Sequence, residues 1–93
     1  MKKILILEDN HVTLEYITSL INEIDAENMI FACSDVKEAY QYALEKDIHL
    51  FMVDIILDKD TPGDSSGLKF VDSIRTIERY TFTPVIFVTS LED

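Results

Sequence analysis

Four residues of this chain have types and positions that could do chemistry together: Glu8 and Asp9 in "ILILEDN", Asp54 in "LFMVDIIL", and Thr89 in "PVIFVTS". Each stands at the end of an apolar run. A carboxylate inside such a run is costly to bury, because desolvation disfavours its charged form. Three carboxylates gathered in one place also repel one another, which raises some of their pKa values. A hard divalent cation removes that conflict. Mg²⁺ takes oxygen ligands, keeps several waters, and commonly uses one or two carboxylates plus a phosphate oxygen. The acids therefore predict Mg²⁺ and, with it, phosphoryl chemistry. Asp54 would be a nucleophile that accepts a phosphoryl group. The metal would neutralise charge developing on the transferred oxygens, and the Thr89 hydroxyl could donate a hydrogen bond to one of them.

These residues can meet only if the elements that carry them run side by side. Lys3–Leu7 is a short apolar run, as in a strand buried on both faces. Asn10 can cap a helix over 11–24, where Val12, Ile17, Leu20, Ile21 and Ile24 recur at helical spacing. "MIFAC" at 29–33 is a second strand. Asp35 and Glu38 have capping-box spacing and open a helix over 36–46, with Ala39, Tyr40, Ala43 and Leu44 on or near one face. "HLFMV" at 49–53 is a third strand, followed by a turn-rich loop, "DKDTPGDSS", over 58–66. Its acids Asp58, Asp60 and Asp64 read as residues that keep the loop solvated. Ser65 or Ser66 could cap a third helix over 67–79 with an inner stripe of Leu68, Val71, Ile74 and Ile77. "TPVIFVTS" at 83–90 is a fourth strand, with Pro84 at its start, where no ladder donor is needed.

The order is β-α-β-α-β-α-β, and every strand is nearly continuously apolar. That pattern predicts an α/β doubly wound parallel sheet, with right-handed crossovers and helices on both faces. In a parallel sheet all carboxyl ends lie on one edge, where open α/β sheets bind ligands at the switch point in strand order. If the first and third strands are neighbours, their ends lie roughly 5 Å apart, and Glu8, Asp9 and Asp54 form one cluster. Asp54 then stands where its strand emerges into the crevice and need not be buried.

The bulk composition sets outer limits. The 93 residues are 47% hydrophobic, enough for one small domain with one core. The net charge of −10, from 18 acids against 8 bases, repels nucleic acid and anionic membrane, so no direct nucleic-acid or membrane contact is expected of this segment. It suits cations and basic partner surfaces. The single cysteine, Cys33, has no internal disulfide partner and reads as a small buried hydrophobe, consistent with a reducing cytoplasm. The opening Met-Lys-Lys-Ile-Leu-Ile-Leu has an apolar run of four before Glu8, too short for a signal core or a membrane span.

The whole chain resembles the receiver domain of two-component response regulators. That family has a flavodoxin-like sheet in strand order 2-1-3-4-5, an acidic pair after the first strand, a phospho-accepting aspartate ending the third, and a Thr or Ser ending the fourth. The matches are Glu8 and Asp9, Asp54, and Thr89. The resemblance implies a phosphoryl group passed from a partner histidine kinase to Asp54, and a third protein ligand to Mg²⁺ in the main-chain carbonyl of Ile56. It implies a signalling domain in a phosphorelay, with at most self-catalysed phosphotransfer and dephosphorylation, and a transcriptional output through a further domain.

Two departures stand out. Receivers have a fifth α/β unit, whose strand carries a lysine that pairs with the phosphoryl group; here the sequence stops at Glu92-Asp93, and Lys59 and Lys69 belong to the loop and the third helix. The expectation is a C-terminally truncated receiver over 1–93, with four strands in order 2-1-3-4, poor phosphorylation, and self-association through the exposed fourth-strand edge by edge pairing or swapping. Also, receivers usually place a proline four residues after the aspartate, whereas position 58 is Asp58, and Pro62 and Gly67 come later. The long loop is similar to that of regulators with LytTR-type DNA-binding domains.

Plainer readings stand beside these. Glu8 and Asp9 could be solvated acids before a helix, where the dipole favours them. Asp54 could be a solvated strand end and Thr89 an ordinary strand hydroxyl. His11 could line the site, while His49 begins a strand; both read first as surface or packing residues. Two other functions remain open. One is a phosphate-independent receiver-like interaction or dimerisation module, supported if Asp54→Asn leaves partner binding unchanged. The other is a phosphatase of the haloacid-dehalogenase type. That family puts its nucleophile, and a second Asp two residues on, after the first strand, which Glu8-Asp9-Asn10 does not match.

Overall fold

The computed structural model describes residues 1–57 and 60–88. Its elements are β1 (Lys3–Leu7), α1 (His11–Ile24), β2 (Met29–Cys33), α2 (Val36–Glu45), β3 (Leu50–Asp54), α3 (Ser66–Arg75), a single 3₁₀ turn at Glu78–Tyr80, and β4 (Val85–Val88). Two helix starts are set by the expected caps. The Asn10 side chain accepts from Thr13 N–H at 3.0 Å, and that of Asp35 from Glu38 N–H at 2.8 Å, each satisfying a donor that the first turn leaves without an intrahelical partner. At α3 the expectation fails in detail. Ser65 holds the cap position without a side-chain bond, and Ser66 turns its hydroxyl to Asp64.

The four strands pair in parallel in the order β2-β1-β3-β4. The chain steps from β1 to β2 in one direction and from β2 across to β3 and β4 in the other. With right-handed crossovers, that reversal puts helices on opposite faces. Accordingly Ile4 and Ile6 pack with Ile17, Leu14 and Ile21 of α1 on one face. Leu5, Leu7, Phe51 and Val53 pack with Ala39 and Ala43 of α2 and Phe70 and Ile74 of α3 on the other. The sheet is thus doubly wound, and its central strands β1 and β3 carry residues buried on both sides. Ala39 and Ala43 have no exposed surface; their small size lets α2 lie close to the sheet. Cys33 is buried among these residues as expected.

Two helix faces differ from the sequence expectation. In α1, Val12 is 77% and Ile24 84% exposed. At 100° per residue Val12 falls on the far side from Leu14, Ile17 and Ile21, and Ile24 is the terminal residue. In α3, Leu68 is exposed and Phe70 buried. The true stripe is Gly67, Phe70, Val71 and Ile74, and Leu68 sits about 100° off it. α3 also ends at Arg75 rather than 79, where bonds tighten to Thr76 N–H→Ser73 C=O and Ile77 N–H→Ile74 C=O. The following 3₁₀ turn brings Tyr80 into the core, edge-on to Phe51 at 5.1 Å. The Tyr80 hydroxyl lies 2.6 Å from the Ala43 carbonyl and accepts from Ile48 N–H at 3.3 Å. It thereby ties the end of α2 to the start of β3, the strand that presents Asp54.

Candidate functional site

β1 and β3 are in register as Leu7↔Val53. The next residue on each strand path is an acid, so Glu8 and Asp54 emerge together at the carboxyl edge of the sheet, and Asp9 follows in the turn into α1. One carboxylate oxygen from each of Glu8, Asp9 and Asp54 lies within 4.8 Å of the others. The remaining bonds are local. Glu8 Oε2 accepts from Asp9 N–H at 3.0 Å, and Asp54 Oδ1 accepts from Ile56 N–H at 3.2 Å. Glu8 Oε1, Asp9 Oδ1 and Asp54 Oδ2 are buried and have no hydrogen-bond partner among the described residues. Each acid therefore holds one oxygen that takes no bond from the described residues.

Glu8 is 1% and Asp54 2% exposed. This corrects the expectation that Asp54 need not be buried. The first turn of α3 packs on the backbone at the end of β3: Gly67 N–H donates to the Ile55 carbonyl at 3.3 Å. A Cβ at Gly67 would stand 1.9 Å from the Asp54 carbonyl oxygen, so only glycine permits this approach. Burial, then the adjoining Asp54 carboxylate, push the Glu8 carboxyl up to about 8; the Asn10 backbone N–H pulls more weakly the other way. Glu8 thus retains a proton that an isolated carboxyl would have lost. Oxygen donors that are buried, unpartnered and mutually repelling are the set that a hard divalent cation satisfies. The donor set fits Mg²⁺.

Of the expected site residues, Glu8, Asp9 and Asp54 are brought together. Ile56 follows Asp54 directly, its N–H bonded to that carboxylate. Thr89 lies outside the described residues; Val88 before it pairs with Asp54 across β3 and β4. His11 is exposed in the first turn of α1. His49 is structural, its Nδ1 accepting from Lys3 N–H at 2.9 Å. The sequence reading missed two residues. Gly67 carried a signal, a glycine just inside a helix start, but its meaning depends on what α3 meets. Asp64 is no mere solvating acid: its Oδ2 accepts from Leu57 N–H at 3.1 Å, and its Oδ1 accepts from the Ser66 hydroxyl. An Asp two residues before a helix start is a familiar turn pattern, but its bond back across the loop is not local.

A family model described as the response regulator receiver domain matches residues 4–93. Over 88 residues the chain is 36% identical to the transcriptional regulatory protein HprR of Escherichia coli (strain K12), which covers 95% of this chain and 35% of HprR. The chain thus spans about a third of that relative's length. Among solved structures, the fold is similar to the chemotaxis protein CheY4 of Vibrio cholerae, with a TM-score of 0.79 and 22% identity over 100% of this chain and 72% of that one. It is likewise similar to the MaeR response regulator bound to beryllium trifluoride, with a TM-score of 0.78 and 22% identity over 100% of this chain and 70% of that one. With the acidic pocket at the expected strand ends and the family model spanning nearly all of the sequence, the chain belongs to the response regulator receiver domain family.

Proposed function

We propose that this receiver domain accepts a phosphoryl group on Asp54 from a partner histidine kinase. The observation that carries the reading is the set of three buried, unpartnered carboxylate oxygens converging from Glu8, Asp9 and Asp54. Glu8, Asp9, Asp54 and the main-chain carbonyl of Ile56 would hold Mg²⁺, which when bound supplies positive charge to offset that on the phosphoryl oxygens. Asp54 Oδ2, the oxygen that takes no hydrogen bond from the described residues, attacks phosphorus. The P–N bond of a phosphohistidine donor breaks as the acyl-phosphate P–O bond forms, and the electron pair returns to the imidazole, which takes up a proton. The Ile56 N–H on Oδ1 keeps the carboxylate from rotating during attack. Thr89, by its place in the sequence, would donate a hydrogen bond to the transferred group.

The domain acts as a signalling switch rather than an enzyme with turnover on an external substrate, and it works in the cytoplasm. Its output is transcriptional, a reading supported by the likeness to HprR, whose name describes a transcriptional regulatory protein. Beryllium trifluoride, the ligand named for MaeR, is a ready probe of the same carboxylate here. The test is labelling by a small phospho-donor with Mg²⁺. Wild-type chain should take up one phosphoryl group and Asp54→Asn none. Equal labelling of both would remove Asp54 from the role.

A further inference from the structure

Residues 55–57, which follow the phospho-accepting Asp54, are pinned one after another. The Ile55 carbonyl accepts from Gly67 N–H at 3.3 Å. Ile56 N–H donates to Asp54 Oδ1 at 3.2 Å, and Leu57 N–H donates to Asp64 Oδ2 at 3.1 Å. Ile56 is therefore held between two carboxylates, one on each of its flanking peptides. The second peptide matters for the site. It contains both the Leu57 N–H and the Ile56 carbonyl, and it is planar and trans. In a trans peptide the N–H and C=O point in opposite directions, so an acceptor that fixes one fixes the other.

Asp64 is well placed for such a task. Its second oxygen accepts from the Ser66 hydroxyl, and its own N–H donates to the Thr61 carbonyl at 3.2 Å. The carboxylate is thus oriented by the start of α3 and by the turn before it. The Leu57 side chain is buried in the core, so the peptide cannot swing outward without cost. No proline follows Leu57 to restrict its backbone, since position 58 is Asp58; a side-chain bond across the loop does that work.

We propose that Asp64 is a positioning residue for the divalent-cation site: by holding the Leu57 N–H it sets the direction of the Ile56 carbonyl. This rests on the reading that Ile56 supplies a main-chain ligand to Mg²⁺. Outer groups that orient a ligand typically change metal affinity by about ten- to a hundred-fold when removed. Asp64 carries a negative charge, which could strengthen cation binding merely by proximity, and the variants separate the two effects.

The experiment is calorimetric titration of the full chain with Mg²⁺, checked by Mn²⁺ electron paramagnetic resonance, with circular dichroism as the control for folding. Asp64→Ala should weaken Mg²⁺ binding about ten-fold. Asp64→Asn loses the charge but keeps an oxygen for Leu57 N–H, and should stay within about three-fold of wild type if geometry is what matters. Equal losses in the Ala and Asn variants would overturn the proposal in favour of charge alone. Wild-type affinity in a folded Asp64→Ala would overturn it outright. Should Asp64→Ala fail to fold, Asp64→Glu replaces it: the charge is kept but displaced by one methylene, so the same loss is expected and wild-type affinity would again refute the role. Failure of the proposed Mg²⁺ site itself looks different, since wild type would then bind no Mg²⁺.

Discussion

At the scale of single residues, the site is a store of unfavourable charge held for use. Among the described residues, Glu8 Oε1, Asp9 Oδ1 and Asp54 Oδ2 are buried without donors, an arrangement that costs stability in the metal-free chain. The raised Glu8 pKa gives that cost a pH signature. Between its ordinary value of 4.5 and about 8, the folded state keeps a proton that the unfolded chain has released. Stability therefore falls as pH rises through this window, is unaffected by Glu8 below it, and levels off above it, with a total span on the order of a few kcal/mol. Urea unfolding in chelator at pH 5, 7 and 9 measures the slope. Glu8→Gln, a neutral residue of the same shape, should flatten it; an unchanged slope would assign the effect to other groups. With Mg²⁺ present, binding below about pH 8 should release a proton, so affinity rises with pH over the same range.

At the scale of elements, the site depends on how closely α3 approaches the end of β3. Gly67 makes that approach possible, with the Asp54 carbonyl oxygen 1.9 Å from where a Cβ would be. Gly67→Ala must push α3 away or unwind its first turn. A destabilisation of about 2–4 kcal/mol is expected, together with loss of the bond from Gly67 N–H to the Ile55 carbonyl. Denaturant melts and Mg²⁺ titration of the variant measure both consequences; a variant with wild-type stability and affinity would mean that the contact is easily relieved. The elements were largely legible in the sequence. Strand positions followed from short apolar runs, and α1 and α2 from caps and period. The boundaries that drifted, such as the end of α3 at Arg75, did so where i→i+3 bonds and the packing of Tyr80 outweighed the apolar period.

At the scale of the whole molecule, the 93-residue chain is small and strongly acidic, with net charge −10. Among the described residues no helix is long and apolar enough to cross a membrane. Among the described residues β4 forms one margin of the sheet, and Ile86 and Phe87 on it, with Phe82 before it, are exposed. An apolar edge with unpaired backbone groups is a template for another strand. The 93-residue chain is therefore expected to associate, by edge pairing or exchange, into dimers or larger assemblies. Sedimentation at rising concentration checks this; a well-folded monomer throughout would refute it. Mg²⁺ should stabilise whichever form carries the site, by about 2.7 kcal/mol at a hundred times the dissociation constant.

Read alone, the sequence determined the order of elements, the parallel doubly wound class, and the identities of Glu8, Asp9 and Asp54 as acids at strand ends. These follow from local rules: apolar runs, helical period, caps, and the alignment of carboxyl ends in a parallel sheet. Tertiary structure decided the rest. It made β1 and β3 neighbours with Leu7 opposite Val53, so that the acids meet. It also buried Asp54, set Gly67 against the Asp54 carbonyl oxygen, and turned Asp64 from a loop acid into a partner of Leu57. The physical reason is distance along the chain. Glu8 and Asp54 lie 46 positions apart, and no local pattern encodes which remote group will fill the space beside a given atom; only the packing of helices on the sheet does.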